Sequence, residues 1–176
     1  VLHKANEGLI LARRDGLSVV HGEYVLFLDS DDALRSDALE LLAGIIEEHN
    51  PDIVQYAFST LSSFASPYTP LTIPVGMFSG DEFESYLHGF FDGVINSVWS
   101  RAVKRELFVT SLPYEDYRSI MHGEDMLLTA FYIQKAKSVF YTDEALYFYR
   151  PNNAASTASY KSSQLVDIEC VSRVIL

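Results

Sequence analysis

Cysteine is almost missing from this chain. Cys170 is the only one, so neither an internal disulfide nor a cysteine-based zinc site can form, and such usage fits a reducing compartment. Basic residues are scarce too: 13 Lys and Arg stand against 24 Asp and Glu, a net charge of −11. A broad nucleic-acid-binding face needs a cationic excess to displace counterions, and the balance here is the opposite. An anionic small molecule still fits, provided a metal or helix N-termini supply local positive charge. Apolar runs are short, well under the roughly 18 residues that cross a bilayer, so no membrane-spanning helix is expected. The five histidines lack zinc-ligand spacing. No signal-peptide pattern and no internal repeat is visible.

What is abundant is apolar and aromatic. A hydrophobic fraction of 48% with 11 Phe and 11 Tyr argues against disorder and supplies one sizeable core. The chain opens at Val1 with a helix that already feeds a strand, so an N-terminal portion is expected ahead of it. Leu9, Ala12, Gly16/Leu17 and Val20 have amphipathic helical spacing, with Arg13, Arg14 and Asp15 on the wet side. Tyr24–Leu28 is a nearly unbroken apolar run, as in a strand buried on both faces of a parallel sheet. Ser36 is a good N-cap for a helix through Ile46, which Asn50-Pro51 stops. Asp52–Phe58 is the next strand, and residues 59–76 read as a loop or irregular hairpin. Ser79-Gly-Asp-Glu82 is a capping box opening a helix to about Phe91. Val94–Val103 reads as extended and carries the single tryptophan, Trp99. Gly123-Glu124-Asp125 leads into a helix with Leu127, Leu128, Phe131 and Tyr132 inward. Val139–Tyr141 and Ala145–Tyr149 are two short strands, and a last helix starts at Lys161. The alternation predicts an α/β sheet with an added mixed portion.

The strongest local signal is Asp29-Ser30-Asp31-Asp32, directly after the Tyr24–Leu28 strand. Ligands of open α/β sheets sit at the carboxyl ends of strands. Three carboxylates in four residues repel one another unless a cation joins them, and hard oxygen ligands favour Mg²⁺, Mn²⁺ or Ca²⁺. The bland alternative is a solvated loop whose aspartates cap the following helix.

Asn6-Glu7-Gly8, Ala12-Arg13, Gly16, Gly22-Glu23-Tyr24 and Phe27-Leu28-Asp29-Ser30-Asp31-Asp32, in this order and spacing, resemble the middle of family 2 glycosyltransferases of the GT-A fold. Val98-Trp99 with Arg101, Arg105-Glu106-Leu107-Phe108, Gly123-Glu124-Asp125 and Leu146-Tyr147 with Tyr149-Arg150 continue the likeness to bacterial surface-polysaccharide members, as far as about Thr157. The resemblance implies a mostly parallel sheet flanked by helices. It also implies a partial GT-A domain over residues 1–160, followed by a C-terminal helix over 161–176. The family's opening strand and its Asp-Asp-Gly-Ser-like loop, which ordinarily hold the nucleobase, are absent from this sequence. Arg101 stands where members usually carry Lys.

Carried over by resemblance, Asp29 contacts the nucleotide and Asp31 binds a divalent Mn²⁺ or Mg²⁺ that holds the diphosphate, with Asp32 as a helper. A metal at the leaving diphosphate stabilises its developing charge. Asp125 matches the base that takes the proton from the acceptor hydroxyl, a role worth about 10²–10⁴ in rate. Glu124 beside it is an orienting or acceptor contact, Arg13 and Arg150 are diphosphate contacts, and Trp99 is a candidate sugar-stacking residue. The implied partners are a nucleotide-sugar donor, a UDP-sugar by preference, and a glycan or lipid-linked acceptor. The implied setting is the cytoplasm, at the inner membrane face, in polysaccharide biosynthesis. One base and one metal imply a single displacement with inversion.

Bland readings compete at several positions. Trp99 suits a core and Arg13 an exposed helix face. Tyr147 and Tyr149 read equally as site-lining residues after the last strands or as ordinary packing, and His122, a candidate substrate contact near Asp125, suits a plain loop. A haloacid-dehalogenase-like phosphatase also places Asp-x-Asp after an apolar strand, but Asp32-Ala33 stands where its Gly-Thr belongs. A catalytically inactive module that binds glycans or a partner protein is the other alternative.

Overall fold

The structure, a computed structural model, describes residues 1–69, 73–91, 96–108, 114–152 and 162–175. Its strands are β1 (Tyr24–Leu26), β2 (Ala33–Leu34), β3 (Ile53–Ser59), β4 (Gly76–Ser79), β5 (Arg101–Lys104) and β6 (Ser138–Phe148). The helices are α1 (Leu9–Leu17), α2 (Ala38–His49), α3 (Asp81–Phe91), α4 (Glu124–Ile133) and α5 (Ser162–Ile175). The sheet runs β1-β5-β3-β6-β2, with β4 also on β6.

Strand directions correct one expectation. Only β3 and β6 pair in parallel; β1 with β5, β3 with β5, β2 with β6 and β4 with β6 are all antiparallel. The α/β class stands, but among the described residues the sheet is mixed rather than mostly parallel. An apolar run reports burial on both faces and says nothing about a neighbour's direction. The Tyr24–Leu28 strand was expected inside the sheet; its laddered part ends at Leu26 and stands last in the described order.

Alternation along the central strands assigns the two faces. Ile53 and Val103 join Phe83 and Tyr86 of α3 and Ala130, Tyr132 and Ile133 of α4. Val54, Tyr56, Ala102, Leu146 and Tyr147 pack against Ala38 and Leu42 of α2. A third cluster, Ile10, Ile120, Leu127 and Val171, joins α1, α4 and α5.

Several local expectations hold. Helix α2 ends where Asn50 turns left-handed at φ 46°, ahead of Pro51, which cannot continue a helix. Helix α3 opens at Asp81, and residues 59–69 fold back through a bridge between Phe58 and Tyr68. Others shift. The two strands expected over 139–149 are one strand, β6, whose pairing with β3 slips at Gln55/Ala57 and Ala57/Phe58. That irregularity lets Asp143 and Glu144 face solvent within a continuous strand. Of the extended stretch expected over 94–103, residues 94 and 95 lie outside the described residues and only 101–103 are strand.

Candidate active site

Arg13 overturns the reading of α1. It was expected on the wet face, yet it is 7% exposed. Three residues beyond Ile10, it shares that residue's buried face. Leu9 and Ala12 are exposed instead, lining an open groove of roughly 430 Å³ between α1 and β1. A buried guanidinium needs charged or hydrogen-bonding partners, and three carboxylates surround this one. Its Nη1 donates to Oδ1 of Asp125 and lies 3.9 Å from Oε1 of Glu124. Its Nη2 is 3.6 Å from Oδ1 of Asp29, and the group sits 5.6 Å over the Phe27 ring. The expected nucleotide contact, the expected base and its acidic neighbour therefore meet on one cation.

Helix α4 presents Glu124 and Asp125 in its first turn, after Gly123 at φ 82°. An L side chain is strained at that angle, and Val171 packs directly over the position, 3.4 Å from where a Cβ would stand. The second Asp125 oxygen, Oδ2, accepts the Val98 N–H at 3.3 Å. Glu124 faces Ile10, Tyr114, Leu127 and Leu128. Burial there, then the charge of Asp125, push its carboxyl up to about 7 despite Arg13. Burial also raises Asp29; Arg13 opposes that rise, and Asp125, Asp32 and Asp31 add to it.

The acidic turn is built from the far end of the chain. Tyr147, fully buried on β6, accepts the Asp29 N–H at 3.2 Å and donates to Asp32 Oδ2 at 2.7 Å. Asp32 Oδ1 accepts the Arg150 N–H at 2.8 Å, and Arg150 Nε donates to the Asp31 carbonyl at 2.6 Å. Asp32 is thus a strut of the turn. Asp31 differs: its side chain is exposed, and no hydrogen bond or ion pair engages its carboxylate among the described residues.

Among the described residues no group of three His, Cys, Asp or Glu side chains converges as a ready-made metal cage. Mg²⁺ and similar ions commonly use one or two carboxylates and take their other ligands from substrate phosphates and water. An exposed, unengaged Asp31 beside Asp29 fits a site of that substrate-completed kind.

Trp99 is half-buried. It stacks on Tyr147 and Tyr149 at 4.6 and 5.4 Å and meets Phe58 edge-on at 4.9 Å. This is the packing role weighed for it, placed directly behind the acidic turn. Arg101 is fully buried, and its Nε donates to Gln55 Oε1 at 2.6 Å. Its Nη1 donates to the Tyr132 hydroxyl at 2.6 Å and Thr129 Oγ1 at 3.3 Å, tying β5 to α4. Residue patterns pointed to Asp29, Asp31, Glu124 and Asp125 but missed Tyr147 as a bridge, since nothing local distinguishes it from a core tyrosine.

Residues 1–108 match the family model described as glycosyl transferase family 2. The uncharacterized glycosyltransferase EpsJ of Bacillus subtilis is 31% identical over 92% of this chain and 47% of its own length. A cholesterol galactosyltransferase of Borreliella burgdorferi is 27% identical over 90% and 47%. The chain therefore spans about half the length of these curated relatives. Among solved structures, S. aureus TarS 1–349 in complex with UDP-GlcNAc superposes with a TM-score of 0.71 at 21% identity. That match covers 99% of this chain and 47% of the other. At that identity the likeness speaks for the fold. With the family model covering more than half of its residues, the chain belongs to glycosyl transferase family 2 and has the GT-A fold.

Proposed function

We propose that the protein containing this chain transfers a sugar from a nucleoside-diphosphate donor to a hydroxyl of a glycan or lipid-linked acceptor, with inversion, in surface-polysaccharide synthesis. The observation that carries this reading is the meeting of Asp29 and Asp125 on the buried Arg13. It brings the residue expected at the nucleotide and the residue expected at the acceptor into one polar centre.

In this reading Asp125 takes the acceptor proton as the hydroxyl oxygen attacks the anomeric carbon and the bond to the diphosphate breaks. Arg13 and the Val98 N–H hold one oxygen each, and each carboxylate oxygen keeps a further lone pair for the incoming proton. Attack opposite the leaving group in a single step inverts the centre. A divalent ion on Asp31, with Asp29 beside it, would neutralise charge on the leaving diphosphate. A uridine donor is supported by the UDP-GlcNAc and UDP complexes of the TarS neighbour. Arg150 lies at the acidic turn, where its fork suits a phosphate. Trp99, stacked on Tyr147 and Tyr149, would support the acidic turn from behind rather than carry the sugar itself. No helix among the described residues is long and apolar enough to cross a membrane.

The test is calorimetric titration of UDP with and without Mn²⁺, together with turnover of a UDP-sugar, in the full-length protein. Asp125→Asn should lower turnover about 10²–10⁴-fold and leave UDP affinity nearly intact. Full turnover in that variant removes Asp125 from the base role. Absence of metal-dependent UDP binding in the wild type removes the reading as a whole.

A further inference from the structure

Helix α5 follows the segment 153–161, lies far outside the matched family segment, and carries no residue of the site described above. Its inner face nevertheless holds the turn that delivers Glu124 and Asp125. Asp167 Oδ2 accepts the backbone N–H of Met121 at 3.0 Å and of His122 at 3.2 Å. The His122 Nδ1 lies 3.4 Å from the same oxygen, and Gln164 Nε2 is 3.0 Å from His122 Nε2. One turn further along, Val171 is almost fully buried with Ile10 of α1, Ile120 and Leu127, and it closes on Gly123.

We propose that Asp167 is a positioning residue: from α5 it fixes the 121–123 turn and so sets where Glu124 and Asp125 meet Arg13. The physical grounds are threefold. The turn lies before the first residue of α4, where amide N–H groups have no partner within the helix. A single carboxylate oxygen taking two adjacent amides fixes the peptide planes, which a hydrophobic contact cannot do. Gly123 is the one residue between the clamped amides and Glu124, and its left-handed backbone is otherwise the freest joint in the segment. With the joint clamped on one side and covered by Val171, the start of α4 has a single direction in which to point. Ile10 in the same cluster places Arg13, one turn along α1, on the same support. The paired Arg13 and Asp125 thus rest on α5 from both sides.

The inference uses the proposed role of Asp125, and its test has arms that do not. Asp167→Ala, Asp167→Asn and, as a packing control, Val171→Ala are made in the full-length protein. Hydrogen exchange at Met121 and His122, the titration of Glu124 followed by carboxyl-carbon NMR, UDP affinity, and turnover of UDP-GlcNAc are measured for each. In Asp167→Ala, exchange at the two amides should accelerate and the Glu124 titration should move toward the ordinary carboxylate range. Turnover should fall about 10–100-fold with UDP affinity held within about twofold, as expected when a reacting group is displaced by about 1 Å. Asp167→Asn keeps one acceptor oxygen and should recover part of each effect. Val171→Ala removes cover from the same joint but leaves the amide clamp in place. It should therefore lower thermal stability, leave exchange at Met121 and His122 unchanged, and move the Glu124 titration less than Asp167→Ala does. If Asp167→Ala loses stability alone, with the Glu124 titration and turnover unmoved, Asp167 is an ordinary structural residue and the proposal is overturned. If the wild type neither binds UDP nor turns over UDP-GlcNAc, the transferase reading fails. The clamp is then decided by the exchange and titration arms: unchanged values in Asp167→Ala overturn it, and shifted values support it.

Discussion

Replacing Glu124 by Gln probes the electrostatics of the centre with the fewest assumptions about substrates. Glu124 has a side chain 16% exposed against an apolar wall, with the Asp125 carboxylate beside it. Removal from water disfavours its ionised form, and the neighbouring negative charge adds to that. Arg13 pulls the other way, but its Nη1 is 3.9 Å from Glu124 and is already bonded to Asp125. The net effect moves the carboxyl from an ordinary 4.5 to about 7. The folded chain therefore holds a proton that the unfolded chain has released between those two values. Stability from this group is complete below about pH 4.5 and is lost as the pH rises through about 7. At roughly 1.4 kcal/mol per pKa unit, the loss is about 2–3 kcal/mol after allowance for the solvent-facing part.

A glutamine at this position would be uncharged throughout, similar in size, and still able to donate a hydrogen bond to Asp125. Glu124→Gln should match wild type within about 0.5 kcal/mol at pH 4.5 and exceed it by about 2–3 kcal/mol at pH 8. Urea denaturation followed by circular dichroism at the two pH values measures this, and the difference between proteins cancels every other titrating group to first order. A difference that is the same at both pH values, or a wild type more stable than the variant at pH 8, would refute the assignment of a buried, proton-retaining Glu124.

Three further outcomes are expected. Asp31→Asn should abolish most of the Mn²⁺-dependent gain in UDP affinity while changing stability by less than about 0.5 kcal/mol, because the side chain is exposed and unengaged; calorimetry with and without Mn²⁺ checks it. Tyr147→Phe strands the Asp29 N–H and frees Asp32 Oδ2, and should cost about 1–3 kcal/mol in urea titrations and weaken UDP binding in the same protein. Arg101→Met removes the donors that tie Gln55 to Tyr132 and Thr129; it should lower stability by about 2–4 kcal/mol, read from the shift in denaturation midpoint.

Features written in short windows of sequence were the legible ones. An apolar run ending in Asp29-Ser30-Asp31-Asp32 and a glycine before Glu124-Asp125 each advertise a turn loaded with carboxylates, and both stand at element ends as expected. The stop at Asn50-Pro51 is set by backbone chemistry within a few residues, and α3 begins two residues after Ser79. Strand direction was not legible, because β5 and β6 flank β3 with similar apolar composition although one runs antiparallel and the other parallel. Nor was the burial of Arg13, which depends on Asp125, 112 residues away. An arginine beside Arg14 and Asp15 looks solvated until its partners arrive. Tyr147 joins Asp32 across 115 residues, and Asp167 reaches the 121–122 amides from another helix. The division has a physical cause. Carboxylates crowded in one turn repel locally and leave a local signature, whereas the cation and hydroxyl that offset the repulsion come from whichever element the fold brings near. A window of sequence therefore exposes the cost of a polar centre before it exposes what stabilises it, and an acidic cluster without nearby basic residues points to a distant partner such as Arg13.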